Sequence, residues 1–166
     1  MRFVKLLILI LFTTSCSVKY SLTGASISPE TKTFQVNYFQ NNSTLIEPGI
    51  DRDFTNKLID LLINQTSLDL VKSNGDLLYE GEIVEYRIAP TTATANNTAA
   101  QNRLTIGVNV RFYDKSDPDA EFEKRFSFYY DYPGSSQLIG SQKDTAVDEI
   151  FERITQDVFN ASLAKW

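Results

Sequence analysis

The stretch Arg103-Leu104-Thr105-Ile106-Gly107-Val108-Asn109-Val110-Arg111-Phe112 decides the fold. Leu104, Ile106, Val108, Val110 and Phe112 alternate with Arg103, Thr105, Gly107, Asn109 and Arg111. Successive side chains of a strand point to opposite faces. The segment is therefore a strand with one face in a core and the other in water, as antiparallel sheets commonly allow. Downstream, a turn over Asp114 to Asp119 leads to Phe122, Phe126, Phe128 and Tyr130, which keep the same period with Lys124 as the exception. Upstream, Asn74-Gly75-Asp76 reads as a turn into a long strand from Leu77 to Ile88. Leu77, Tyr79, Gly81 and Ile83 share one parity, and Val84, Tyr86 and Ile88 share the other. A strand face cannot change parity without an extra residue, so the pattern predicts a bulge near Ile83.

Farther out the period changes. Residues 50–66 carry Phe54, Leu58, Leu61 and Leu62 on one helical stripe. Pro48 and Gly49 precede it, and Asp51 and Asp53 suit its electropositive start. Near the C-terminus, Val147, Ile150, Phe151, Ile154 and Val158 form a second stripe, with Ser141 and Asp144 spaced as a capping box. Thr33 to Phe39 reads as a first strand with Phe34, Val36 and Tyr38 inward, and Leu68, Leu70 and Val71 form a short extended piece. The uncharged run from Pro90 to Gln101 reads as a long loop. These elements predict an α+β two-layer sandwich: a mainly antiparallel four-stranded sheet with two helices on one face. The expected core joins Phe34, Val36, Leu104, Ile106, Val108, Phe126 and Phe128 to Phe54, Leu58, Leu62, Val147, Ile150 and Ile154.

The N-terminus has a different composition. Arg2 and Lys5 precede the apolar run Leu6 to Phe12, then Thr13, Thr14, Ser15 and Cys16. The order is that of a secretory signal peptide, and the run is too short to span a bilayer. Cys16 is the only cysteine of the 166 residues, so no internal disulfide can form. At this position it resembles the lipobox of bacterial lipoproteins, with Thr13 where leucine is usual. That likeness implies acylation of Cys16 and removal of residues 1–15. Ser17 stands where an aspartate would resemble an inner-membrane retention signal, which favours an outer-membrane, periplasm-facing protein. Residues 16–32 then serve as anchor and tether, and residues 33–166 as the domain.

Composition closes several routes to chemistry. The chain has no histidine, which removes the commonest general base and every His-containing zinc site. No Walker or Rossmann glycine pattern occurs, and no cofactor is expected. Sixteen Lys and Arg, two of them in the leader, face 21 Asp and Glu, a balance unsuited to general nucleic-acid binding. Asp114, Asp117 and Asp119 lack the glycine and closing glutamate of a calcium loop. A non-enzymatic protein is expected.

An ordered set of short motifs adds a family likeness. Tyr20-Ser21-Leu22-Thr23-Gly24, Tyr38-Phe39-Gln40-Asn41, Gln65-Thr66-Ser67-Leu68, Gly75-Asp76-Leu77, Glu80-Gly81-Glu82-Ile83, Gln101-Asn102-Arg103-Leu104-Thr105-Ile106, Phe159-Asn160 and Trp166 together resemble the Bacteroidota form of LptE. The resemblance implies a palmitate-bearing outer-membrane lipoprotein of cell-envelope biogenesis. It implies a plug that helps assemble the LptD β-barrel and assists lipopolysaccharide transport to the surface, with no catalytic residues. Lipopolysaccharide is anionic, so Arg103, Arg111, Lys124 and Arg125 are candidate contacts. Thr94 and Asn97, in the uncharged loop, are candidate barrel contacts. The alternative is a periplasm-facing lipoprotein that binds a small ligand or another envelope protein. Mass spectrometry of the mature protein should find an acylated N-terminal Cys16; an unmodified product starting elsewhere would refute the anchor.

Overall fold

The computed structural model describes residues 27–93 and 99–164. The leader, Cys16 and the candidate contacts Thr94 and Asn97 lie outside these residues. In chain order the elements are β1 (Thr33–Val36), β2 (Gln40–Asn41), α1 (Ile50–Gln65), β3 (Asp69–Leu70), β4 (Leu77–Ala93), β5 (Ala99–Asp114), β6 (Phe122–Pro133) and α2 (Gly140–Leu163). A 3-10 turn at Pro118–Ala120 lies between β5 and β6. The strands lie in the order β3-β1-β4-β5-β6, and β2 pairs with β4 beyond the end of β1.

The two-layer α+β plan holds, but the sheet is mixed and six-stranded, where a mainly antiparallel four-stranded sheet was expected. β4, β5 and β6 form an antiparallel meander. β1 and β2 run parallel to β4, and β1 also runs parallel to β3. The reason is α1: a helix laid across one face between two strands returns the chain pointing the same way. The two extra strands are two residues each, too short for alternation to register in sequence.

The expected strand over Thr33 to Phe39 is interrupted after Val36. Asn37 N–H donates to the Tyr79 carbonyl (2.8 Å), and Phe39 N–H donates to Thr55 Oγ1 (3.1 Å) on α1. The break turns Tyr38 outward, 54 % exposed, and buries Phe39 fully. Phe39 meets Phe54 edge-on with ring centroids 5.0 Å apart. Gly81 makes room for it: a Cβ there would come within 2.7 Å of the Phe39 ring and collide with the Asn109 carbonyl oxygen.

The predicted bulge lies at Val84, between the pairs Ile83↔Val108 and Glu85↔Gly107. It moves the buried parity from Leu77, Tyr79 and Ile83 to Tyr86. The supposed long loop is shorter than expected, because β4 continues to Ala93 and β5 starts at Ala99. Pro90 fits within β4 because β1 and β2 end before it and leave that side of the strand unpaired among the described residues. The capping box does not form. α2 starts at Gly140, so Ser141 already sits in its first turn, and no side chain caps the helix.

One core cluster joins the helix-covered sheet face to both helices. Phe34, Phe54, Leu58, Leu62, Leu104, Ile106, Val108, Ile150 and Ile154 are fully buried, and Phe126 and Val147 nearly so. Val36 and Phe128 pack against the cluster from its rim. The Tyr79 hydroxyl, buried among these groups, is held near Ser162 Oγ (2.9 Å), and burial raises its pKa. Leu58→Ala or Ile150→Ala should cost about 2–5 kcal/mol in denaturant titrations, as large-to-small changes do in cores that collapse poorly.

Asp76 ties the chain's entry to the sheet. Its Oδ2 accepts the backbone N–H groups of Lys32 and Thr33 and the Thr33 hydroxyl, each at 2.9 Å. These bonds, led by the one from Lys32, hold its pKa below the usual aspartate value. A depressed folded pKa stabilises the fold above the unfolded value of about 4 and loses that effect as pH falls through the folded value. Asp76→Ala should therefore lower Tm at neutral pH, with the gap from wild type narrowing as pH falls below the ordinary aspartate value and through the lower folded one. A gap unchanged across that range would show that the carboxylate charge contributes nothing.

Candidate functional site on the uncovered sheet face

Because β5 alternates strictly from Arg103 to Phe112, its second face collects Arg103, Thr105, Asn109 and Arg111. Among the described residues no element covers that face. The pairing places Arg87, Arg103, Arg111 and Arg125 among Glu80, Glu82, Glu85, Glu123 and Asp131. Arg111 lies between two carboxylates, 3.2 Å from Glu80 Oε1 and 3.2 Å from Glu82 Oε2. Asn37 and Asn109 donate to the same two glutamates. Arg103 grips Asp131 with two bonds, of 2.7 and 2.8 Å, and its guanidinium lies 3.6 Å above the centre of the Tyr129 ring. Arg103 holds the Asp131 carboxyl below its usual pKa. These are partly solvated pairs, so their role is to fix side-chain positions more than to stabilise the fold.

Of the candidate lipid contacts, Arg103, Arg111 and Arg125 share this face. Lys124 does not: it pairs opposite Val110 on the helix side, with its amine 5.1 Å from the Phe126 ring centre. Arg103 and Arg111 are already engaged with carboxylates, so a phosphate there would have to share or displace them. The balance differs near the bulge. Arg87 and Arg125 both turn to Glu85, at 2.9 and 2.6 Å, so two guanidiniums share one carboxylate.

Beside that pair runs an open groove of about 650 Å³, lined by Thr44, Leu45, Val84, Tyr86 and Ile88 together with Glu85, Arg87 and Arg125. Leu45 and Ile88 are substantially exposed there. The groove thus offers an apolar wall next to a locally positive rim. Sequence reasoning found the arginines but missed this wall. Leu45 comes from a loop, and Val84 lies on neither regular face because it is the bulged residue. The detectable signal was the parity change itself. Among the described residues no His/Cys/Asp/Glu group could hold a metal ion, and no helix is long and apolar enough to cross a membrane.

Comparisons with known proteins place the architecture. The chain is similar to a hypothetical protein (CT253) of Chlamydia trachomatis, at 11% identity over 81% of this chain and 99% of that one, with a TM-score of 0.54. It is similar to PelC, crystallised as a dodecamer, from Paraburkholderia phytofirmans, at 11% identity over 84% and 95% of the two chains, with a TM-score of 0.50. Rare lipoprotein B of Shewanella oneidensis matches at 10% identity over 76% and 89%, with a TM-score of 0.49. At such identities the likeness concerns the fold alone. A search of curated proteins finds no match. The model of the LptE family, described as lipopolysaccharide-assembly, matches residues 31–162, which include every strand and nearly all of α2. The chain belongs to the LptE family of lipopolysaccharide-assembly proteins.

Proposed function

We propose that this protein is an outer-membrane lipoprotein, acylated at Cys16, that seats in and helps assemble an LptD-like β-barrel and assists lipopolysaccharide delivery to the cell surface. Residues 1–15 act as the leader, and residues 16–32 hold the domain at the periplasmic side of the membrane. The observation that carries this reading is the family match over residues 31–162. The uncovered sheet face supports it physically. Its charges are mutually compensated and its side chains are fixed by hydrogen bonds, which suits a surface meeting the polar interior of a large barrel.

Lipopolysaccharide carries anionic groups beside acyl chains. The bulge groove, with Arg87 and Arg125 at its rim and Leu45, Val84 and Ile88 along its wall, matches both parts. The reading keeps Arg125 as a lipid contact and adds Arg87. Arg103, Arg111 and Lys124 act secondarily, the first two by sharing their guanidiniums between the lipid's anionic groups and the carboxylates they already hold. Thr94 and Asn97, between β4 and β5 in the sequence, are the proposed barrel contacts.

Affinity isolation of the full chain from envelopes should recover a large outer-membrane barrel, and photocrosslinkers at Thr94 and Asn97 should capture it. Recovery of no barrel, with a small ligand or another envelope protein in its place, would refute the assignment. Arg87→Glu with Arg125→Glu should reduce lipopolysaccharide binding about tenfold or more while leaving barrel recovery intact. Unchanged binding would move the lipid contact elsewhere.

A further inference from the structure

Three strands build the charged rim of the bulge groove, and each supplies one part. β4 supplies the carboxylate. Along the first part of that strand Leu77, Tyr79 and Ile83 face the core, so unbroken alternation would bury Glu85 as well. The bulged residue Val84 reverses the parity and delivers Glu85 to the wet face, opposite Gly107. β5 supplies a gap. A Cβ on Gly107 would come within 3.0 Å of Arg125 Nη2, 3.1 Å of Arg125 Nε and 3.3 Å of Glu85 Cβ. β6 supplies Arg125, which pairs opposite Asn109 and crosses β5 over that gap to reach Glu85 Oε2 at 2.6 Å. Arg87, two residues along β4, takes Glu85 Oε1 at 2.9 Å. The three side chains are unevenly placed. Glu85 is recessed, with 20 % of its side chain exposed, whereas Arg87 and Arg125 are 58 % and 52 % exposed. Each guanidinium gives one N–H to Glu85 and has no other acceptor among the described residues. A guanidinium carries five donors in a planar fork, so most of them remain for a ligand. Glu82, the next acid along β4, is already held by Arg111 and Asn109.

We propose that Glu85 sets how tightly this groove holds an anionic lipid headgroup, restraining the affinity so that the lipid stays releasable. The inference deepens the reading of the groove as a lipid contact and rests on it. A headgroup phosphate, with its acyl chains along Leu45, Val84 and Ile88, meets both guanidiniums only by coming beside the carboxylate on which they converge. Glu85 then acts in two opposed ways. It holds two flexible side chains in one place, which lowers the cost of ordering them around a ligand. It also cancels one of their two positive charges and repels the entering phosphate. Exchange for glutamine separates the two effects. The amide still offers an arginine its oxygen, but the repulsion is gone. The charge is the larger effect, because a neutral acceptor retains part of the positioning and none of the repulsion. A site restrained in this way captures a phosphorylated amphiphile without trapping it, as delivery to a further site requires.

The test measures binding of the full chain, in neutral detergent micelles, to purified lipopolysaccharide and to the same lipopolysaccharide stripped of its phosphates. Glu85→Gln should tighten binding to the phosphorylated form about tenfold at low salt, and the gain should shrink as salt rises. Binding to the stripped form should not change. The gain should vanish when Arg87→Gln and Arg125→Gln are added, because it needs the guanidiniums. Inorganic phosphate should compete only at concentrations about a hundredfold above the lipid, since it cannot use the apolar wall. Competition at equal concentration would show a site for free phosphate and overturn the headgroup assignment. Suppose Glu85→Gln leaves binding unchanged or weakens it, while Arg87→Glu with Arg125→Glu still reduces it. The role given to Glu85 would then be overturned, and the groove would stand as the lipid contact. Unchanged binding in the charge-reversed arginine variant would remove the lipid contact from the groove, and the role of Glu85 with it.

Discussion

The structure depends on the pairing of β5 along nearly its whole length on both sides. Its partners are β4, from Leu77↔Asp114 to Ala93↔Ala99, and β6, from Gln101↔Pro133 to Phe112↔Phe122. That double pairing forces a choice of face on all three strands. Leu104, Ile106, Val108, Val110 and Phe112 have no exposed surface, and each such side chain contributes about 1.5–3 kcal/mol by leaving water. A slip of one residue would expose all five and bury Arg103 and Arg111. The helices then have one apolar surface to cover, and the other surface remains for charge.

That division explains which features could be read in the sequence. β5, the amphipathic stripes of α1 and α2, and the bulge were legible because each is a periodic pattern or an interruption of one. The mixed topology was not. β2 and β3 comprise Gln40–Asn41 and Asp69–Leu70, pairs with no period, held by where α1 delivers the chain. Tyr38 was expected inward and Phe39 was absent from the expected core, because the break after Val36 depends on Thr55 of α1, a tertiary contact sixteen residues from Phe39. Pro90 suggested a loop because local rules cannot know that one side of β4 has no neighbour.

The candidate site follows the same logic. Alternation put Arg103 and Arg111 together on the wet face and Lys124 on the other, and the sequence showed both facts. It could not show that Arg103 holds Asp131, 28 residues on, or that Glu85 is shared by two guanidiniums. Those pairings depend on register, and they decide where positive charge remains available. The groove by Val84 arises from the bulge. The irregularity that repairs the core pattern also creates the concave surface of most functional interest. A lipopolysaccharide-assembly family member with this organisation has a rigid, charge-compensated face and one local site where an apolar wall meets excess cation.

Amide hydrogen exchange on the full chain tests the central claim, that the doubly paired β5 is the element on which the rest is built. The account predicts that amides between Leu104 and Phe112 exchange most slowly in the protein, at the rate of global unfolding, while β1, β3 and the ends of α1 open first. If β5 amides exchanged as fast as those of β1, or if the slowest amides lay in the helices while β5 opened independently, the sheet could not be the scaffold described and the account would fail.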